Sequence, residues 1–129
     1  MSYVILAGVV LIHIAAVLYT LFIIKEFKYK RAVHGVTRLI TAAVIFDVSA
    51  TACMMIGTTE TYFTAHGVLG YTALAVMVTD AILIWRHRAK HGHEVPFSKG
   101  LHRVSLYGYM LWVCAFLTGE YLAFVNMGN

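Results

Sequence analysis

Four histidines are the residues best suited to chemistry in this sequence, and each lies in or at the edge of a different long apolar stretch: His13, His34, His66 and His102. Ionisable groups are costly at membrane depth, and those found there usually bind a ligand or carry an ion. A neutral imidazole can ligate haem iron, and chains of histidines and acids conduct protons in pumps. The sequence therefore presents two chemistries, cofactor binding and proton transfer.

Three carboxyl groups also lie within the apolar stretches, at Asp47, Asp80 and Glu120. An ionised carboxylate alone in hydrocarbon is very costly, so each is expected to have a partner or to be protonated. Asp47 and His13 are both expected about 16 Å above the inner surface, near the midplane of a membrane. His13 is therefore the expected partner of Asp47, and His66 with Glu120 makes a second candidate pair near the outer side.

A third polar level is predicted near the inner side. His34 and His102 both begin their stretches there, Arg38 lies one helical turn further in, and Asp80 lies about 8 Å from the inner end of its stretch. These four residues are predicted to form an inner cluster.

Haem b is the first candidate ligand, because two imidazoles from facing helices can ligate its iron within a helical bundle. His34 and His102 are the first-choice axial ligands, since they share a depth and are predicted on diagonal helices. His13 and His66 are second choices, being separated by about 12 Å along the membrane normal. Arg38 could pair with a haem propionate. Small residues near these histidines would let a flat macrocycle approach the backbone: Gly35, Gly67, Gly70 and Gly108.

The apolar stretches that carry these residues predict the fold. The chain has 129 residues, 60% hydrophobic and only 12% charged, whereas soluble domains are about a quarter charged. The composition predicts a single integral membrane domain over residues 1–129. Each stretch has about 20 to 24 residues, enough to cross a hydrocarbon core of about 30 Å, and we interpret the first as a span rather than a removed signal peptide. The predicted spans are Tyr3–Ile24, Val36–Ile56, Phe63–Trp85 and Leu101–Phe124.

Short links between these spans favour an all-α, up-down four-helix bundle with both termini outside. All ten Lys and Arg residues lie in two segments, 25–38 and 86–103. This asymmetry predicts that the basic links 25–35 and 86–100 face the cytoplasm, which places the protein in the cytoplasmic membrane. The orientation of the protein in the lipid bilayer accounts for these basic residues, so a nucleic-acid partner is not expected. The sequence leaves open whether the protein forms a homodimer or belongs to a larger membrane complex.

The main alternative to haem binding is a small proton-coupled transporter or channel centred on Asp47 and His13. The three polar levels would then form a ladder, with hydroxyl groups as intermediates at Tyr19, Tyr71, Thr79 and Tyr109. A third alternative is an accessory subunit of a larger membrane complex.

Other motifs give weaker indications. His87, His91 and His93 could bind a transition metal, but a solvated loop is favoured. Cys53 and Cys114 are interpreted as buried thiols. The sequence has no nucleophile elbow, phosphate loop or zinc-protease motif, so a hydrolase or transferase is not expected.

The order and spacing of several segments resemble the HsmA-type family of small four-span bacterial membrane proteins, which is associated with haem binding and haem stress. The similarity covers most of the chain, through VLYTLFIIKE, IFDVSATACMM, AHGVLGYTALAVMVTD and PFSKGLHRVSLYGYMLWV followed by FLTGEYL. The resemblance implies haem residues at His34, His66 and His102. The family's third span carries a second histidine fourteen residues after the first, where this chain has Asp80. One ligand is then missing, and His13 could compensate.

Overall fold

Four helices form almost all of the structure. The computed structural model describes residues 3–31, 33–57, 65–92 and 94–127, except for the side chains at 5, 57, 65–66 and 122–127. The predicted all-α class and the number of helices within these ranges are confirmed. The helices are α1 (Tyr3–Tyr29), α2 (His34–Gly57), α3 (Ala65–His91) and α4 (Lys99–Met127).

Helices α1 and α3 extend beyond the predicted spans, which end at Ile24 and Trp85. No proline or glycine interrupts the charged segments that follow, and Lys, Glu and Arg have good helix propensity. Both helices stop at residues with a left-handed backbone, Lys30 at φ 54° and Gly92 at φ 73°. Their amides donate to carbonyls four residues earlier, at 2.7 and 2.8 Å, as in αL helix caps. The longer α1 therefore includes Glu26, which the sequence prediction placed in a loop.

The helices are arranged as an up-down bundle. Each packs against its neighbours in the sequence, and α1 also packs against α4, whereas the diagonal pairs make no close backbone contact in the described residues. The amide of Phe97 donates to the Lys30 carbonyl at 2.7 Å, which joins the links after α1 and α3. The ends of α1 and α3 and the starts of α2 and α4 thus meet. This end carries all ten Lys and Arg residues, and we refer to it as the basic end.

Small residues bring α1 and α2 together. Helix α1 carries Gly8 and Ala15 seven residues apart, and α2 carries Ala43 and Ala50 at the same spacing. The three alanines are buried. A Cβ atom at Gly8 would lie 2.9 Å from Met54 Cγ. Close packing of this kind is typical of helix pairs in membranes.

The distribution of polarity is reversed relative to a soluble protein. Apolar side chains are exposed along all four helices, whereas the buried polar residues are Glu26, Thr37, Asp47, Asp80 and Ser105. Within the described residues, three helical segments are long and apolar enough to cross a membrane: Leu6–Tyr29, His34–Ile56 and Gly67–His91. The fourth predicted span, on α4, is not among them, and the side chains of its last residues lie outside the described part of the structure.

Candidate functional site

Three buried carboxyl groups define the candidate site, and each comes from a different helix. Glu26 on α1 and Asp80 on α3 are 0% exposed, and Asp47 on α2 is 3% exposed. Each accepts or shares a hydrogen bond with a residue of α4. The fourth helix therefore supplies a partner for an acid on every other helix.

The first partner lies near the basic end. His102 Nδ1 is 2.7 Å from Glu26 Oε1, and the ring of Phe27 meets the imidazole edge-on at 4.8 Å. The second carboxylate oxygen, Glu26 Oε2, is buried and has no hydrogen-bond partner in the described structure. His102 is 24% exposed at its side chain, so it connects a fully buried acid with the bundle's surface.

The second partner lies one turn further along α4. Ser105 Oγ donates to Asp80 Oδ1 at 2.7 Å, and Asp80 Oδ2 is likewise buried with no partner in the described structure. His102 and Ser105 are three residues apart and so share one face of α4. The two buried acids therefore lie beside a single polar face.

The third carboxyl group lies near the middle of the bundle. Asp47 Oδ2 accepts from the Tyr19 hydroxyl at 2.8 Å and from Trp112 Nε1 at 2.9 Å. The Tyr19 and Trp112 rings pack at 4.8 Å. An indole N–H can only donate, so Trp112 fixes the carboxyl group, whereas the tyrosine hydroxyl could also pass a proton.

A histidine and an acid meet at the far side from the basic end. His13 Nδ1 donates to the Val9 carbonyl at 2.7 Å, and His13 Nε2 lies 2.9 Å from Glu120 Oε1. Because a carbonyl only accepts, Nδ1 must carry a hydrogen. The contact between Nε2 and Glu120 therefore holds one further proton, on the imidazole or on the carboxyl group. Both side chains are about half exposed, at 48% and 46%.

These partners form a stripe along α4, which we call the α4 stripe: His102, Ser105, Tyr109, Trp112 and Glu120. Spacings of three, four, three and eight residues place them on one side of the helix. The Tyr109 hydroxyl adds a 2.8 Å hydrogen bond to Thr20 Oγ1 on α1. The stripe covers about 27 Å of helix from its first to its last member.

Aromatic rings interrupt the polar contacts between Asp47 and the His13–Glu120 pair. The Phe116 ring stacks on Trp112 with centroids 5.4 Å apart, and it also meets the His13 ring at 5.3 Å. The stripe is therefore divided into a long inner part and a short outer part by an apolar layer.

His34 lies apart from His102 and has different neighbours. Arg88 Nη2 is 3.0 Å and 3.2 Å from the two ring nitrogens of His34, and Arg88 Nη1 donates to Thr37 Oγ1 at 2.9 Å. A guanidinium only donates, so an imidazole nitrogen of His34 accepts from it. The two first-choice haem ligands lie on diagonal helices, as predicted, but their side chains are held by different partners.

One predicted pairing is wrong, and a second involves a side chain outside the described residues. His13 contacts Glu120 rather than Asp47, whose partners are Tyr19 and Trp112. The reason is helix rotation, because His13 and Tyr19 are six residues apart and point about 120° away from each other. The side chain of His66, the predicted partner of Glu120, lies outside the described residues.

The predicted inner cluster is also divided. Asp80 contacts Ser105, and His102 contacts Glu26, whereas His34 lies with Arg88. Arg38 is exposed on α2. The four residues share an end of the bundle but face different neighbours.

Other candidates have structural explanations. A Cβ atom at Gly108 would meet Val76 Cγ1 at 2.9 Å, so this glycine serves the packing of α3 on α4 rather than the approach of a macrocycle. His87 and His91 pack ring to ring at 4.9 Å, and His93 lies outside the described residues. No group of three or more metal-ligating side chains occurs in the described part of the chain.

The two cysteines are free thiols. Cys53 is partly buried, but Cys114 is exposed, which corrects the prediction that both are buried. A thiol behaves as a small apolar side chain, so Cys114 needs no hydrogen-bond partner at its exposed position on α4.

Sequence reasoning missed Glu26, Ser105 and Trp112. A signal for Glu26 was present, because Ala15, Tyr19, Phe22 and Glu26 follow one another at spacings of four, three and four. This pattern marks one buried helix face that continues past the predicted end of the first span. All four residues are 0% exposed.

Comparison with known proteins gives no relative for this site. No protein-family model matches the chain. No curated protein is significantly similar to it, and no solved structure is either.

Proposed function

We propose that the protein is an integral bundle of the cytoplasmic membrane, with its basic end in the cytoplasm and both termini outside. Three segments of sufficient length and hydropathy support this, as does an apolar exterior around buried acids. The clustering of every Lys and Arg at one end supports the orientation. Helix α4 crosses with the others, because it packs against both α1 and α3.

We further propose that the bundle binds and transfers protons along the α4 stripe. The observation that carries this proposal is that acids from α1, α2 and α3 are all buried against one polar face of α4. Intramembrane acids and histidines in such series are typical of proton relays. Glu26 Oε2 and Asp80 Oδ2, which lack partners in the described structure, provide positions where a proton can reside.

The inner part of the path begins at the basic end. His102 is the partly exposed group that exchanges protons with the cytoplasm and with Glu26. Asp80 follows, bonded to the hydroxyl of Ser105, which lies one turn from His102 on α4. The Tyr19 hydroxyl then leads to Asp47. Each of these groups can both take up and release a proton.

The outer part consists of His13 and Glu120, which already hold one proton between them. Phe116 and Trp112 separate this pair from Asp47. Neither aromatic side chain can relay a proton, since Phe116 has no polar atom and an indole only donates. Transfer between the two parts therefore requires water to enter this aromatic layer, which makes the layer a gate.

Reconstituted liposomes with a trapped pH-sensitive dye test this function. A pH gradient should relax through the wild-type protein, and Asp47→Asn should abolish that flux while keeping the side chain's size. Thr72→Val is a matched control, because among the described residues the Thr72 hydroxyl bonds only the Val68 carbonyl of its own helix. Equal flux in wild type and Asp47→Asn would exclude the proton path.

Haem b is a second candidate, motivated by the resemblance to the HsmA-type family and by the geometry at His102. A ligating histidine usually bonds a carboxylate through its other ring nitrogen, and Glu26 holds Nδ1 of His102 in this way. His102 thus fits an axial ligand through Nε2. His34 does not fit in the present arrangement, because Arg88 occupies its acceptor nitrogen. When bound, haem b would supply one-electron chemistry for electron transfer, whereas binding of haem alone would serve its sensing or sequestration.

An absorption spectrum distinguishes this candidate. Haem binding should give a Soret band and sharp reduced α and β bands, which His102→Ala and His34→Ala should both remove. Arg88→Gln should strengthen the bands by releasing His34. Unchanged bands in both histidine variants, or no bands in membranes supplied with haem, would exclude this ligand pair.

A further inference from the structure

A groove between the end of α3 and the start of α4 combines apolar and basic walls. Its volume is about 470 Å³. Leu83, Leu101 and Val104 line it, together with Arg86 and Lys90. Because α3 runs toward the basic end and α4 runs away from it, Leu83 and Val104 lie deepest. Lys90 lies about 10 Å further out than Leu83.

The charges of this groove are uncompensated. None of its lining residues is acidic, and Arg86 and Lys90 form no ion pair within the described residues. His91 adds a further basic side chain at the outer end. A groove of this kind attracts an anion at the level where α3 ends.

The start of α4 leaves its backbone accessible beside these cations. Ser98 caps the helix, since its Oγ accepts from the Leu101 amide at 3.1 Å. A Cβ atom at Gly100 would meet only Ser98 Oγ, at 3.9 Å. A phosphate could therefore approach the backbone at Gly100, in the first turn of a 29-residue helix whose N-terminus favours negative charge.

We propose that this groove binds an anionic phospholipid from the cytoplasmic leaflet. Arg86 and Lys90 would contact the headgroup phosphate, and Leu83, Leu101 and Val104 would contact an acyl chain. Basic pockets between membrane helices on the cytoplasmic side bind such headgroups. The apolar inner half favours a lipid over a soluble phosphate, which would leave that half uncovered. The proposal rests on the membrane insertion proposed above, but not on proton transfer or haem.

Lipid retention measured by native mass spectrometry tests the site. Protein purified in neutral detergent would be mixed with phosphatidylglycerol or phosphatidylcholine. The wild type should retain phosphatidylglycerol preferentially. The double variant Arg86→Gln/Lys90→Gln should bind it about 10- to 30-fold more weakly, because each basic residue near a headgroup contributes to binding.

A matched control separates this site from general charge attraction. Lys28→Gln/Arg103→Gln removes the same charge from exposed positions at the basic end that do not line the groove, and it should leave retention nearly unchanged. Equal losses in the two double variants would overturn the proposal, as would full displacement of the lipid by inorganic phosphate. If the first double variant misfolds, Lys90→Glu replaces it, since this exposed side chain has no partner in the described structure.

Failure of the site can be distinguished from failure of membrane insertion. Release of the protein from membranes by alkaline carbonate would overturn the proposed membrane insertion and, with it, the lipid site. A carbonate-resistant protein without preference for phosphatidylglycerol would overturn only the lipid site.

Discussion

His102 Nδ1 lies 2.7 Å from Glu26 Oε1, and this contact joins the start of α4 to the end of α1. The acid is completely buried, and the histidine is its only hydrogen-bonding partner in the described structure. Either proposed chemistry uses this pair, as the inner entry of a proton path or as a haem ligand with its supporting carboxylate. Its contribution to stability can be measured independently of both.

Removal of the imidazole should destabilise the bundle. We expect His102→Ala to lower the free energy of unfolding by about 1–3 kcal/mol, because a buried acceptor loses its donor. His102→Gln should recover part of this loss, since its amide can still donate. Detergent-mediated unfolding followed by circular dichroism gives the comparison.

His91→Ala serves as the control, because His91 is exposed and its ring meets that of His87, far from any buried carboxyl group described above. Equal stabilities for His102→Ala and His91→Ala would show that the buried carboxyl group does not depend on His102.

The Tyr19 hydroxyl should be coupled to Asp47. We expect Tyr19→Phe to cost about 0.5–2 kcal/mol of unfolding free energy, because one of two donors to the buried Oδ2 is lost. In the Asp47→Leu background the same substitution should cost much less, since the acceptor is already absent. A double-mutant cycle measures this difference. Additive effects would contradict the coupling. Thr79→Val is the neutral comparison, because the Thr79 hydroxyl bonds the Ala75 carbonyl of its own helix and no other group in the described structure.

Two glycines should respond in opposite directions to the same substitution. Gly108→Ala should destabilise the protein by about 1–3 kcal/mol, because the Cβ atom of the new alanine would lie 2.9 Å from Val76 Cγ1. Gly70→Ala should be neutral or stabilising by up to about 1 kcal/mol, since alanine has a higher helix propensity than glycine. A Cβ atom at this position meets nothing within 4 Å. Thermal unfolding in detergent would measure both. A Gly108→Ala protein as stable as Gly70→Ala would show that α3 and α4 can separate at little cost.

Sequence patterns predicted the four helices because hydropathy and the positions of charges depend only on local composition. They also indicated that Asp47 and Asp80 need partners, since burial of a carboxyl group is costly wherever it occurs. They did not predict which partners. That choice depends on helix rotation, and depth alone made His13 the expected neighbour of Asp47.

The end of α1 shows a second reason for failure. Lys25 and Lys28 made the segment after Ile24 resemble a loop, although a charged helix can continue beyond an apolar span. Glu26 then lay outside every predicted helix. The burial of Glu26 could be inferred only from the helical spacing that it shares with Tyr19 and Phe22.

The aromatic layer between Asp47 and His13 should control the rate of proton transfer. Phe116 contacts Trp112 on one side and His13 on the other, and it contributes no polar atom. We expect Phe116→Ala to raise proton flux in liposomes severalfold, because the space left by the ring can admit water between the two parts of the path. The rate at which a trapped dye follows an imposed pH step measures this change.

Two further variants decide whether the added flux uses the proposed path. Phe116→Ala combined with Asp47→Asn should have no protein-dependent flux, since the path is then interrupted at its middle. Leu117→Ala removes a comparable volume from the exposed neighbouring position on α4 and should leave flux unchanged. If flux rises in Phe116→Ala and persists in the double variant, the substitution has opened a nonspecific leak. In that case Phe116 does not gate a path through Asp47.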